Sequence, residues 1–145
     1  GENKFVIANN YKAIKQIVLN YSNATYSVNN HEEKQVEPNV FINEGIIYIP
    51  VRFLVDSLDG EIEYDSKTEC IVLTGIDRHE YKFYLSKQQY SIDENLEDGY
   101  NPILEINDTA YLSADFLSLN MNFKISLEYN LDKHFIIRLV KSKEE

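Results

Sequence analysis

Only one cysteine, Cys70, occurs among the 145 residues, so no intrachain disulfide can form. It lies in Cys70-Ile71-Val72-Leu73, an apolar strand pattern in which a thiol serves as a small buried hydrophobe. A nucleophilic thiol needs an electropositive, polar setting, and its neighbours supply none. The scarcity of cysteine fits a reducing cytosol and disulfide-free secretion equally well. A basic stripe is also missing. Fourteen Lys and Arg stand against 24 Asp and Glu, for a net charge of −10, and the basic tail Lys141-Ser142-Lys143 ends in Glu144-Glu145. Nucleic acid is therefore excluded as a partner, and attraction to an anionic membrane is disfavoured. No run reaches the roughly 18–20 apolar residues of a transmembrane helix. The chain opens Gly1-Glu2-Asn3 rather than on Met, so the lack of a leader decides nothing. Trp is absent, but 11 Tyr and 7 Phe are present, residues that suit a half-buried pleated surface.

Signatures of chemistry are missing as well. His31, His79 and His134 are scattered, without the paired spacing that a copper or zinc centre needs. The acidic stretch Asp93-Glu94-Asn95-Leu96-Glu97-Asp98-Gly99 fails the EF-hand test. Counted from Asp93, the glycine position holds Asp98 and the closing acid position holds Leu104. It reads as a solvated loop. No nucleophile elbow, phosphate loop or dinucleotide fingerprint occurs. With this many acids, a plausible carboxylate pair carries no weight.

What the chain does contain is an internal echo. Gly45-Ile46-Ile47-Tyr48-Ile49-Pro50-Val51-Arg52-Phe53-Leu54 aligns with Asp108-Thr109-Ala110-Tyr111-Leu112-Ser113-Ala114-Asp115-Phe116-Leu117, with Tyr48 on Tyr111, Phe53 on Phe116 and Leu54 on Leu117. Tyr26-Ser27-Val28 likewise matches Tyr90-Ser91-Ile92, and Glu61–Asp65 matches Lys124–Glu128. The expectation is two copies, residues 14–75 and 76–145, behind a lead-in of residues 1–13.

Each copy reads as α+β, a small antiparallel sheet with one short helix on one face. In the first, Ile17–Leu19 and Ala24–Val28 form a hairpin, and Asn29–Gln35 is a polar loop. Val40–Ile42 and Ile46–Ile49 flank a turn at Asn43-Glu44-Gly45. Pro50 suits the first turn of a helix whose apolar face is Phe53, Leu54, Ser57 and Leu58, and Gly60 suits a left-handed stop. Ile62 and Tyr64 alternate with acids before Ser66-Lys67-Thr68 turns the chain into Cys70–Leu73. The second copy repeats this with Tyr81–Leu85, Gln89–Ile92, Ile103–Ile106, a helix near Ala114–Met121, Phe123–Leu127 and Phe135–Val140. There Ser113 stands as N-cap in place of the proline. Gly75-Ile76-Asp77 is a short seam, which favours copies packed on each other. Ahead of the first copy, Phe5-Val6-Ile7 fits an added strand and Tyr11–Ile17 fits the start of a helical turn, and the choice between them stays open.

The string Ile49-Pro50-Val51-Arg52-Phe53-Leu54-Val55-Asp56-Ser57-Leu58-Asp59-Gly60-Glu61-Ile62-Glu63-Tyr64-Asp65 resembles the hallmark of the copper amine oxidase N-terminal-like, or stalk, domain of secreted Gram-positive proteins. Pro50, Arg52, Phe53, Leu54, Leu58, Tyr64 and Asp65 match that pattern. Asp56 replaces the usual Glu, and Gly60 lies one residue beyond the usual glycine. Pro38 with Phe41-Ile42-Asn43-Glu44-Gly45 extends the likeness upstream, and both copies together span roughly residues 14–140. The second copy has lost the Pro-x-Arg pair. The resemblance implies a tandem α+β module, an exported or cell-surface location with the leader removed, and no cofactor. In this family the copper and quinone belong to a separate catalytic domain.

The functional expectation is a non-catalytic binding or spacer module that contacts a cell-envelope component, such as glycan, or another protein. Two alternatives stand beside it: a protein–protein domain pairing through a sheet edge, and a small hydrolase with a site between the copies. Arg52, with Asp56 four residues on, reads as a lock between helix and sheet or as a ligand anchor. Tyr21, Tyr26, Tyr90, Tyr100 and Tyr129 are candidates to stack on sugar rings or plain sheet residues.

Overall fold

Hairpin after hairpin is dictated by short turns, and the computed structural model, which describes residues 14–142, contains fourteen strands and two short helices over that range. The strands are β1 (Ile14–Asn20), β2 (Thr25–Val28), β3 (Lys34–Gln35), β4 (Phe41–Asn43), β5 (Ile46–Pro50), β6 (Glu61–Asp65) and β7 (Cys70–Thr74). They continue with β8 (Tyr81–Tyr84), β9 (Gln89–Ile92), β10 (Asn95–Asp98), β11 (Ile103–Ile106), β12 (Thr109–Ser113), β13 (Phe123–Tyr129) and β14 (Phe135–Ser142). Helix α1 (Val51–Ser57) follows β5, and α2 (Ala114–Asn120) follows β12. The class is α+β, mostly antiparallel sheet. The lead-in, with the expected strand at Phe5-Val6-Ile7, lies outside the described residues.

Three hairpins close on two residues that both have positive φ, the geometry that matches strand twist. Glu44 (φ 52°) and Gly45 (φ 80°) join β4 to β5, and Asn107 (φ 50°) and Asp108 (φ 64°) join β11 to β12. Asp93 (φ 51°) and Glu94 (φ 69°) join β9 to β10. The acidic stretch read as a loop is therefore a turn and an exposed edge strand. The reading missed it because neither turn position holds the Gly or Asn that normally marks such a turn. Lys34-Gln35, also placed in a loop, pairs briefly with β2.

The chain divides into two compact units. One comprises Pro38–Phe116. It holds a five-stranded sheet in the order β10-β9-β8-β7-β6 and a four-stranded sheet in the order β11-β12-β5-β4. In the latter, β12 meets β5 with Tyr111 opposite Pro50, Leu112 opposite Ile49 and Ser113 opposite Tyr48. The seam Gly75-Ile76-Asp77 links two neighbouring strands of one sheet, β7 and β8. The core includes Ile49, Leu54, Leu73, Tyr81, Phe83 and Phe116. Phe116 meets Phe83, Tyr81 and Tyr90 edge-on, with ring centroids 5.1 to 6.3 Å apart, the arrangement that ring quadrupoles favour.

Helix α1 buries Val51, Leu54, Val55 and Leu58. This is the i, i+3, i+4, i+7 stripe, so the two valines, rather than Phe53 and Ser57, complete the apolar face. The helix ends in a Schellman motif. Gly60 N–H bonds to Val55 O (2.9 Å), Asp59 N–H bonds to Asp56 O (3.3 Å), and the left-handed residue is Asp59 at φ 58°. Gly60 is therefore not the left-handed stop. A Cβ there would lie 2.9 Å from Thr74 O and 2.8 Å from Ile76 Cγ1, so Gly60 is required by close backbone approach.

The other unit, described over residues 14–37 and 117–142, has one five-stranded sheet in the order β13-β14-β1-β2-β3. Strand β1 carries the expected hairpin partner β2 on one side. On the other it takes β14, with Ile17 opposite Leu139 and Asn20 opposite Ile136. Ile17, Leu19, Phe123, Ile137 and Leu139 are buried. Buried Lys141 donates from Nζ to Met121 O, just beyond α2, and lies 5.6 Å from the Phe123 ring centroid.

Candidate functional site

The antiparallel register of β13 and β14 puts Tyr129 opposite Phe135. Their rings stand 5.4 Å apart, tilted at 47°. Tyr21, the residue after β1, donates its N–H to Phe135 O (2.9 Å) and presents its ring edge-on to Phe135 at 6.2 Å. Three rings from three chain segments thus form a row at one end of the sheet. Tyr129 is 73 % exposed, Phe135 and Tyr21 are half-buried, and Leu127 and Leu131 alongside are exposed.

Polar groups edge this row. Asn20 Nδ2 and His134 Nδ1 are 3.2 Å apart, and Ser22 Oγ accepts Phe135 N–H at 3.0 Å. The turn beneath Tyr129 is held by Asn130 Oδ1, which accepts the N–H groups of Asp132 (3.0 Å) and His134 (2.9 Å). The row thus joins exposed apolar ring area, chiefly that of Tyr129, to polar groups at its margin. Tyr21 and Tyr129 were legible as candidates. Phe135 was not, because it opens an apolar run, Phe135-Ile136-Ile137, whose next two residues are buried.

The remaining tyrosines lie elsewhere. Tyr90 packs on Phe116 at 5.1 Å and on Tyr100 at 6.3 Å, perpendicular to both. Burial, then Glu97 and Tyr100, raise its hydroxyl above the ordinary value of 10.0. The Tyr100 hydroxyl donates to Ser113 Oγ (3.3 Å), which also caps α2 by accepting Phe116 N–H (3.3 Å). Tyr26 is half-buried on β2.

The motif residues fall at the β5–α1–β6 junction. Pro50 ends β5 and precedes α1 at φ −57°, with Val51 the first helical residue. Leu54 is buried and Phe53 half-buried, while Arg52 and Asp56 are exposed. Among the described residues no ion pair or side-chain hydrogen bond forms on Arg52, so the expected lock to sheet or to Asp56 is absent. At an exposed position such a pair gains little over solvation. Tyr64 is exposed on β6. Asp65 accepts Lys67 N–H at 3.0 Å; that bond, followed by the Thr68 hydroxyl, holds its carboxyl below the usual value of 3.8. Asp65 thereby braces the β6–β7 turn.

A second polar network ties the start of β8 to the β9–β10 turn. Asp77 accepts His79 N–H (2.9 Å) and the hydroxyl of buried Tyr81 (2.8 Å). Asp93 accepts Glu80 N–H (2.9 Å) and pairs with His79 Nδ1, and these bonds lower its carboxyl. Among the described residues no group of three His, Cys, Asp or Glu is placed to hold a metal ion. No described helix is long and apolar enough to cross a membrane.

The model of the family described as copper amine oxidase N-terminal domain matches the chain twice, over residues 2–73 and 28–136. Comparison with curated proteins gives no match, and neither does comparison with solved structures. The family is one of non-catalytic modules, and its model covers most of the chain. On that footing the chain belongs to the copper amine oxidase N-terminal domain family.

Proposed function

We propose that the chain is a non-catalytic binding and spacing module, and not an enzyme, of an exported cell-surface protein of a Gram-positive bacterium. On this reading it contacts envelope glycan through the Tyr21–Phe135–Tyr129 row. The exposed ring row, with Asn20 and His134 at its margin, carries the reading. The chain is read as two tandem copies, 14–75 and 76–145. The two five-stranded sheets support this, since each sets the last hairpin of one copy beside the first strands of the other. The β12–β5 register supports it too. With Tyr48 aligned on Tyr111 and Pro50 on Ser113, the pairing is self-complementary about Ile49 and Leu112. Pro50, Phe53, Leu54, Gly60 and Asp65 are read as structural members of the motif.

The test is co-sedimentation with insoluble Gram-positive cell wall across a salt series, with chitin and cellulose as controls. Selective retention that survives salt and is lost in Tyr129→Ala supports glycan contact. No retention on any polymer sinks it and leaves a spacer. A second reading, protein pairing through a sheet edge, is favoured by the exposed, apolar edge strand β13.

A further inference from the structure

Strand β13 is the longest sheet edge among the described residues, seven residues hydrogen-bonded to β14 on one side only. Such an edge presents a row of open N–H and C=O groups and templates further pairing unless charge or shape blocks it. From Lys124 to Tyr129 its side chains alternate cleanly. Lys124, Ser126 and Glu128 are exposed on one face, and Ile125, Leu127 and Tyr129 lie on the other with the last two exposed.

We infer that β13 pairs antiparallel with β13 of a second copy of this chain, centred on Ser126. This deepens the edge-pairing reading and does not depend on glycan contact. In that register Lys124 stands opposite Glu128 of the second copy and Glu128 opposite its Lys124, which gives two opposite-charge cross-strand pairs related by symmetry. Ile125 faces Leu127, and Phe123 faces Tyr129, so the covered end of each strand meets the exposed apolar end of the other. Shifting the centre to Ile125 or Leu127 sets neither charge opposite its complement, so the charges select the register. Glu128 Oε1 already takes Arg138 (2.7 Å), which holds the carboxylate in place on this strand.

The other edges lack this self-complementarity. β6, which ends the second five-stranded sheet as β13 ends the first, reads Glu61-Ile62-Glu63-Tyr64-Asp65. Self-pairing about Glu63 would set acid against acid three times. β10 carries Glu97 and Asp98, β3 has two residues and β4 three, and β11 has four. One strand of contact is small against a standard interface, so the dimer is weak, with a dissociation constant of micromolar order or above. With −10 on each chain, it tightens as salt rises.

Sedimentation equilibrium of the purified chain over a concentration series, in low and physiological salt, tests the inference without any glycan. The expected result is a mass rising toward twice the monomer, more readily at higher salt. Glu128→Lys, which sets lysine against lysine twice, weakens association about tenfold. Lys124→Glu with Glu128→Lys restores the opposite-charge pairs and recovers association. Both variants lose the Arg138 contact alike, and the single variant, the less negative of the two, would associate more readily than the double one if cross-strand pairing played no part. A chain monomeric at every concentration overturns the inference, as does equal association of the single and double variants. Wall retention by a monomeric chain leaves the glycan reading intact.

Discussion

Gly60 and Thr74 are in such close approach that a Cβ on the first would sit 2.9 Å from the carbonyl oxygen of the second. Asp59, one residue earlier, occupies the left-handed region at φ 58°. Asp59, where the family pattern has its glycine, thus takes the left-handed role expected of Gly60, and opposite substitutions separate the two positions. Gly60→Ala forces backbone apart and is expected to cost about 1–3 kcal/mol. Asp59→Gly relieves a left-handed non-glycine residue and is expected to gain up to about 1 kcal/mol. Urea unfolding of both variants reads the contrast, and the same sign for both would refute the assignment.

Arg52 matches the family pattern but is exposed, and among the described residues it makes no ion pair or side-chain hydrogen bond. Arg52→Ala is expected to change stability by less than about 0.5 kcal/mol, whereas Leu54→Ala in the same helix costs about 2–5 kcal/mol. Thermal unfolding compares them. A large loss in the arginine variant would reinstate a lock between helix and sheet.

Lys141 is 5 % exposed and donates to Met121 O at the end of α2, where a cation is favoured by the helix dipole. Lys141→Met keeps the apolar stem but leaves that carbonyl unpaired. A loss of about 1–3 kcal/mol is expected, with hydrogen exchange rising first in the last turn of α2. Unchanged exchange there would assign the lysine to packing alone.

Asp65 and Asp93 both have carboxyls held below 3.8 by hydrogen bonds that favour the charged form. The unfolded chain therefore binds protons first as pH falls. Their contribution is complete above the unfolded value and is lost as pH drops through the folded values, below about pH 4. The urea midpoint is expected to fall in that acid window, and less steeply in Asp93→Asn. An identical acid limb in the variant would exclude Asp93 as a source.

Tyr129 and Tyr90 separate surface from core. Tyr129→Ala should leave thermal stability nearly unchanged and abolish wall retention. Tyr90→Ala, which removes a ring packed on Phe116, should destabilise by about 3 kcal/mol. Retention that survives Tyr129→Ala would move glycan contact away from the ring row.

Local chemistry was readable along the chain wherever a residue type answers to a local rule. Ser113 announces a cap, Glu44-Gly45 a tight turn, and the alternation through Ile62 and Tyr64 a strand. Asp93-Glu94 escaped because its two positive φ angles fall on residues that do not advertise them. The apolar face of α1 is ambiguous in the sequence because Phe53 and Ser57 share the four-residue spacing of Val51 and Val55, and only packing shows that the valines are buried.

Composition, turn chemistry and periodicity act over a few residues, so the chain order alone settled the class, the helices, most hairpins and the family motif. The pairings that shape the sheets beyond hairpins, β1 with β14 and β5 with β12, join residues far apart in the chain. Nothing in the sequence near Ile17 specifies that Leu139 will lie opposite it, because backbone hydrogen bonds are the same for every partner. Folding decided that β14 closes onto β1, that Phe135 stands between Tyr21 and Tyr129, and that Lys124-Ile125-Ser126-Leu127-Glu128 forms a sheet edge among the described residues. Long-range burial of apolar faces selects among pairings that local propensity leaves equivalent.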